Sequence, residues 1–451
     1  MNILALLNGV FGLLLLIGIA FLISNNKRRI NWRLVASGFA LQIVFAVFML
    51  KGRSLAVYFV PLGWPLVLFE WLSEGFVTVL GFTTEGAKFV FGSLAISQGN
   101  EGSIGFFFAF QVLPTIIFFS SLMSLLYYLG IMQRIVKGMA WIMLRVMGTS
   151  GAESLSNTAN IFVGQTEAPL MIRPYIGGMT QSELLTIMVG GMATIAGGVL
   201  AAYVQMLGYS YAQAHGLSVA AGQIKFAAQL MAASIMAAPA GLAISKIIFP
   251  EVGEPETRGT VKVRIEKNAS NAIEAAAAGA SDGLQLALNV GAMLLAFIAM
   301  IAMANFVLKG IGDLSGLNPI LTQHYGQPLT LQLVFGFVLQ FLAWALGVPW
   351  HDALNVGSLV GTKIVLNEFV GYLDLSQFIA QGKIASEKAI TMATFALCGF
   401  ANFSSIAIQI GGITPMAPHR RKDLAALGLR AVAGGTLANL MTATIAGVLV
   451  G

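Results

Sequence analysis

The sequence predicts an all-α integral membrane protein with eight spanning helices, two re-entrant hairpins and an inverted-topology repeat whose helices are interrupted. Three observations lead there. Of 451 residues, 57% are hydrophobic and only 10% are charged, with a mean hydropathy of +0.82, so no water-soluble shell can be built and the apolar surface must face lipid. Apolar runs of about 20 residues, the length that crosses about 30 Å of hydrocarbon, recur along the chain. One series of elements then occurs twice.

The first 26 residues carry no charged side chain and Lys27, Arg28 and Arg29 follow them. A cleaved leader needs the opposite order, so 3–23 reads as a retained span. A second span covers 34–50. Residues 52–103 mix apolar pieces with Glu70, Glu74, Glu85 and Glu101, which predicts short helices along the outer face and closes an N-terminal unit at 1–103. The first repeat, 104–249, holds a span at 104–129, a hairpin at 133–171 turning at Gly148–Gly151, an interrupted span at 184–207 and a span at 226–248. An inner linker follows at 250–282, where Val263, Ile265 and an alanine-rich end suit an interfacial helix. The second repeat, 283–451, holds a span at 283–308, a hairpin at 331–372 turning at Gly347–Pro349, an interrupted span at 389–411 and a span at 424–450. Each hairpin arm is too short and polar to span, so it enters and returns. Glu167 follows Gly148 by 19 positions and Glu368 follows Gly347 by 21. Three crossings per copy invert the second copy, a design that places a substrate site between the repeats near the midplane.

A net charge of +6 could suggest nucleic acid, but the basic residues form short clusters between apolar runs, which orients a membrane protein instead. With the N-terminus outside, 17 of the 25 Lys and Arg residues face inward. Lys51, Arg53, Lys88, Lys225, Lys309, Lys363, Lys383 and Lys388 then stay outside, as do both termini. The single cysteine, Cys398, excludes an internal disulfide. His215, His324, His351 and His419 fall in loops or at element ends, with no HExxH or GxSxG setting, so a hydrolase is rejected.

Polar chemistry concentrates where hydrocarbon should forbid it. Gly164-Gln-Thr-Glu-Ala-Pro-Leu170 joins an amide, a hydroxyl and a carboxylate, with Pro169 disturbing regular helix. Asn367-Glu-Phe-Val370 brings a second carboxylate at the matching place in the other copy. Gly190, Gly191, Gly197 and Gly198 surround Thr194 and let backbone approach closely, while Asn402 and Ser405 lie about one turn apart in Cys398-Gly-Phe-Ala-Asn-Phe-Ser-Ser405. For the glycines, helix packing is the plainer account; for Asn402 and Ser405, bridging between helices competes with function. These features by themselves describe an inverted-repeat transporter of a polar, uncharged solute.

GQTEAPL, NEFV and CGFANFSS, in this order and on these elements, resemble the concentrative nucleoside transporter family, and the resemblance covers nearly the whole chain. It looks like the shorter bacterial form, which lacks the extra N-terminal spans of animal members. The resemblance implies a sodium-coupled nucleoside symporter of the inner (plasma) membrane, a homotrimer with a moving transport domain against a scaffold, and no enzyme or cofactor. It also matches the substrate positions: Gln165, Thr166 and Glu167 toward the base of uridine, cytidine or adenosine, Val199 and Phe400 over its apolar face, and Glu368, Asn402 and Ser405 toward the ribose hydroxyls. The implied sodium positions are Asn160 and Val163 on the first hairpin with Thr194 and Ile195 on the interrupted span. Proton coupling through a buried glutamate stays open, as does another small polar solute.

Overall fold

The computed structural model describes residues 3–96, 102–259 and 269–450. The helices run, in order, α1 (Ile3–Leu22), α2 (Trp32–Ala56), α3 (Trp64–Phe91), α4 (Phe108–Gln111), α5 (Leu113–Tyr128), α6 (Ile131–Met147), α7 (Gly151–Ala159), α8 (Arg173–Ile176), α9 (Gln181–Ala193), α10 (Gly197–His215), α11 (Val219–Ile248), α12 (Ala272–Leu314), α13 (Leu317–Tyr325), α14 (Leu331–Ala345), α15 (Trp350–Val365), α16 (Glu368–Ala380), α17 (Glu387–Leu397), α18 (Phe403–Ile413) and α19 (Arg421–Val450). No strand occurs among the described residues, only an isolated bridge between Ser150 and Arg258.

Side-chain oxygens fix where many of these helices begin. Asn31, Ser218, Asn271, Thr330, Asn367, Ser386 and Asn402 each accept from the amide three residues on. Capping boxes start α7 (Ser150 with Glu153) and α9 (Thr180 with Glu183). In hydrocarbon such caps matter more than in water, because an orphan amide has no solvent to fall back on.

Seven helices among the described residues are long and apolar enough to cross a membrane, in addition to the shorter apolar α1. One of the seven corrects an expectation. Residues 52–103 were expected as short surface helices, yet α3 is a single helix of 28 residues. At 100° per residue, Glu70, Glu74 and Glu85 fall within about 60° of one another, so the charges form one stripe instead of interrupting the helix. Leu66, Phe69, Ser73, Leu80, Thr83 and Ala87 are its buried residues. Glu70 pairs with Arg53 at 2.7 Å on the exposed side, and Glu101 lies outside the described residues.

A second correction concerns α12, which runs unbroken for 43 residues. The alanine-rich stretch expected to end a separate interfacial helix is its first turns. Nothing in that stretch breaks helix, and the helix continues past the boundary expected at 282. Val263 and Ile265, with Lys262, Arg264 and Lys267, lie outside the described residues.

The two hairpin segments contain more pieces than expected. In the first, α6 and α7 meet at Gly148, whose φ of 70° suits glycine. Beyond α7, a second break at 160–167 precedes the 3-10 turn Ala168–Ile172. In the second, α14 and α15 fold back on one another at 120°. Their contact is close: a methyl added at Gly357 would lie 2.9 Å from the Gln340 amide. A further break at Leu366 and Asn367 separates α15 from α16. Glu167 ends, and Glu368 directly follows, a break that the turn signals Gly148 and Gly347 do not mark.

Burial divides the molecule. The apolar windows of α9–α10 and of α11 are 89% buried, against 22% for α12. Lys363, expected on the outer side within the second hairpin segment, is instead among the most buried side chains of the protein. Only two residues from the end of α15, it extends inward from the helix that carries the second break.

Candidate functional site

Two spanning runs are interrupted where the sequence reading placed polar residues. α9 ends at Ala193 and α10 starts at Gly197, with Thr194 in an extended conformation between them. α17 ends at Leu397 and α18 starts at Phe403. The two breaks touch through Gly399, whose φ is 145°; a methyl there would lie 2.7 Å from the Met192 carbonyl and 2.6 Å from the Asn439 amide oxygen. Only glycine fits that crossing.

A buried hydrogen-bonded chain runs beside the breaks and joins elements from both halves. The Gln165 Nε2 donates to the Ser405 hydroxyl at 3.2 Å. Ser405 donates its backbone amide to Asn402 Oδ1 at 2.9 Å, which caps α18. The other end of that amide, Asn402 Nδ2, donates to Glu368 Oε2 at 2.8 Å. Tyr203 on α10 donates its hydroxyl to Glu368 Oε1 at 3.3 Å. Asn402 therefore caps a helix and also bridges to a carboxylate on another element. Asn367 caps α16 by accepting from the Val370 amide at 2.9 Å, which places Glu368 at the first helical position, where a negative charge faces the positive end of the helix.

Four of the eight expected substrate residues, Gln165, Glu368, Asn402 and Ser405, are thus brought into one chain. Val199 is buried on α10 and Phe400 is half-buried in the second break. Thr166 and Glu167 stand apart from the chain. The Thr166 hydroxyl donates to Glu167 Oε1 at 3.2 Å, and Glu167 is exposed, its carboxylate folded over Gly164.

The four residues expected to bind a cation gather near the first break. Asn160 is the C-cap of α7, and the Gly197 amide donates to the Phe162 carbonyl at 3.0 Å, tying this tip to the start of α10. Thr194 donates its hydroxyl to the Gly190 carbonyl at 2.9 Å, which leaves its oxygen lone pairs free. Both polar atoms of the Asn160 side chain are buried without a hydrogen-bond partner among the described residues. An orphaned buried amide is costly, so its oxygen fits a hard cation as ligand.

Other participants went unread in the sequence. Gln409 donates to Gln165 Oε1 at 3.0 Å and to the Met188 carbonyl at 2.9 Å. It lies one turn beyond Ser405 on the same face, so spacing could have found it. Tyr203 packs against Tyr372 with ring centres 4.2 Å apart and planes tilted by 35°, and follows Val199 by one turn. Lys363 and Asn439 also belong here, and no local pattern marks them. Among the described residues no group of His, Cys, Asp and Glu is arranged to hold a metal ion, and Cys398 is free and buried.

Comparison with known proteins agrees along the whole chain. Residues 11–94 match the family model "Na+ dependent nucleoside transporter N-terminus", residues 109–210 match "Nucleoside recognition", and residues 229–447 match "Na+ dependent nucleoside transporter C-terminus". A nucleoside permease, NupC, of Helicobacter pylori is 43% identical, covering 98% of this chain and 97% of its own. The mouse sodium/nucleoside cotransporter 1 is 40% identical over 97% of this chain, which spans 63% of that longer protein. Among solved structures, CNTnw in an inward-facing substrate-bound state superposes with a TM-score of 0.83 at 42% identity, covering 99% of both chains.

Proposed function

The chain belongs to the concentrative nucleoside transporter family, a multi-pass plasma-membrane transporter and not an enzyme, and from that premise we propose that it is a secondary active symporter importing nucleosides on a sodium gradient by alternating access. One observation carries the reading: the buried chain Gln165–Ser405–Asn402–Glu368–Tyr203 joins polar groups from both halves at the helix breaks. Such a chain is expensive in an apolar surround unless something uses it.

In this reading residues 104–249 and 283–451 are inverted repeats, 1–103 and the long α12 belong to the scaffold, and the segments 133–171 and 331–372 are re-entrant hairpins that move with the interrupted helices. The ribose hydroxyls take over the partners of Glu368, Asn402 and Ser405, with charge-assisted bonds to the carboxylate. The base edge is read by Gln165, with Thr166 and Glu167 closing from the rim, and Val199 and Phe400 cover its apolar face. Sodium, the co-substrate, is held by oxygens of Asn160, Val163, Thr194 and Ile195. Both termini lie outside, and the transporter is a homotrimer.

Uptake of labelled uridine and adenosine into proteoliposomes, with and without a sodium gradient, tests substrate and coupling together. Uptake driven by sodium supports the reading. Uptake indifferent to sodium but driven by a proton gradient would move coupling to a glutamate, and uptake of neither nucleoside would leave another polar solute.

A further inference from the structure

Two lysines are deeply buried among the described residues, Lys246 and Lys363, and they are compensated in different ways. Lys246 pairs with the carboxylates of Glu153 and Glu251 and donates to the Ser182 hydroxyl at 2.9 Å, the ordinary arrangement for a buried charge. Lys363, 1% exposed, has no carboxylate within ion-pair distance among the described residues. Its ammonium donates to the Ala396 carbonyl at 2.9 Å and to Asn439 Oδ1 at 2.7 Å. Those are neutral oxygens, the kind of ligand that surrounds a bound alkali cation, and Ala396 lies at the C-terminal, negative end of the interrupted helix α17.

The bridge continues to the other break. Asn439 on α19 donates its Nδ2 to the Ala193 carbonyl at 2.6 Å, and Ala193 is the last residue of α9, immediately before Thr194. One ammonium and one amide therefore tie together the C-terminal ends of both interrupted helices. The matching positions of the two halves differ in one respect. Asn160 caps the C-terminal end of α7 seven residues before Glu167, and its amide is orphaned among the described residues; Lys363 lies in the last turn of α15, five residues before Glu368, and is satisfied by the protein. The first break leaves an amide unsatisfied that a bound ion would satisfy, and the second carries its own charge.

We propose that Lys363 is a tethered cation that occupies, at the second helix break, the place a coupling ion takes at the first, and that through Asn439 it positions both breaks for substrate. This rests on the sodium-coupled reading given above. It makes Lys363 a positioning residue that touches no substrate. It also means that the chain needs one external ion where a strictly symmetric pair of breaks would need two.

The test is the sodium dependence of equilibrium uridine binding in purified wild-type protein and in Lys363→Ser and Lys363→Arg. Serine removes the charge and leaves space and an oxygen, so sodium enters the second break: the Hill slope should rise from about 1 toward about 2, and uridine affinity should fall at least about tenfold at low sodium and recover at high sodium. Lys363→Arg keeps the charge and should keep the wild-type slope. A folded Lys363→Ser protein with wild-type slope and affinity overturns the proposal. A second measurement needs no variant: the ratio of labelled sodium to labelled uridine taken up by the wild type, expected at about one. A ratio of two also overturns it, whether or not Lys363→Ser folds. Wild-type uridine uptake that ignores sodium is a different outcome, because it removes the sodium reading itself.

Discussion

Glu368 is held between two asparagines that divide the work of placing it. Asn367 ends the break and starts the helix on which the carboxylate rides, and Asn402 donates to one carboxylate oxygen while Tyr203 donates to the other. An amide in that place offers one acceptor where two donors wait. Glu368→Gln should therefore weaken uridine binding by about 10- to 100-fold, the loss of one charge-assisted bond at about 1.5–3 kcal/mol, in a protein whose melting temperature is unchanged; normal affinity in that protein would remove Glu368 from the ribose site. Gln409 acts one step back, holding Gln165 against the Met188 carbonyl. Gln409→Leu should change the ranking of uridine, cytidine and adenosine in competition uptake, whereas equal loss for all three would make it a packing residue. At this scale the sequence was legible where the buried hydrogen bonds and local spacing coincide. Glu368, Asn402 and Ser405 stand in compact motifs, but Asn439 and Lys363 meet their partners across 76 and 33 positions of chain, a distance that no periodicity encodes.

The elements that matter most are the discontinuous ones, and their breaks were legible to different degrees. Glycines around Thr194 and the run Cys398–Ser405 marked the neighbourhood of the two interrupted spans, because weak helix formers are a local property. Gly190, Gly191, Gly197 and Gly198 themselves lie in helix, and the break falls at 194–196. The breaks at 160–167 and at Leu366 and Asn367 were not placed, since Phe162, Val163 and Leu366 are apolar and continue the surrounding pattern. The single helix α3 was misread for the converse reason: charges within one stripe look like interruptions until the 100° step is applied. Where the two breaks cross, geometry makes a sharp demand. Gly399→Ala requires a positive φ of a residue that resists it and pushes a methyl against the Met192 carbonyl, so it should cost about 1–3 kcal/mol and abolish sodium-driven uptake. Gly411→Ala on α18 meets nothing within 4 Å and should leave both melting temperature and uptake unchanged. If the two variants behaved alike, the crossing would not be a constraint on transport.

Across the whole molecule, the class was set by composition, and the gradient of burial from α9–α11 outward to α12 supplies the division between a wrapped inner part and an outer part exposed in the single chain. Function in this reading depends on linkage between sites that no residue shares. The path is continuous: Thr194 closes α9, Met188 of α9 receives Gln409, and Gln409 holds Gln165 in the buried chain. An ion that orders the first break therefore also orders the substrate site, and by reciprocity each ligand must raise the other's affinity by one common factor. Thr194→Val keeps the shape and deletes one oxygen. It should raise the sodium concentration for half-maximal uptake, and at subsaturating sodium it should weaken uridine binding in parallel, while at saturating sodium the uridine affinity returns to that of the wild type. Titrating sodium at several fixed uridine concentrations separates the alternatives: unchanged sodium dependence removes the Thr194 hydroxyl from the ion's shell, and a uridine defect that persists at saturating sodium means that Thr194 shapes the substrate site directly and not through the ion.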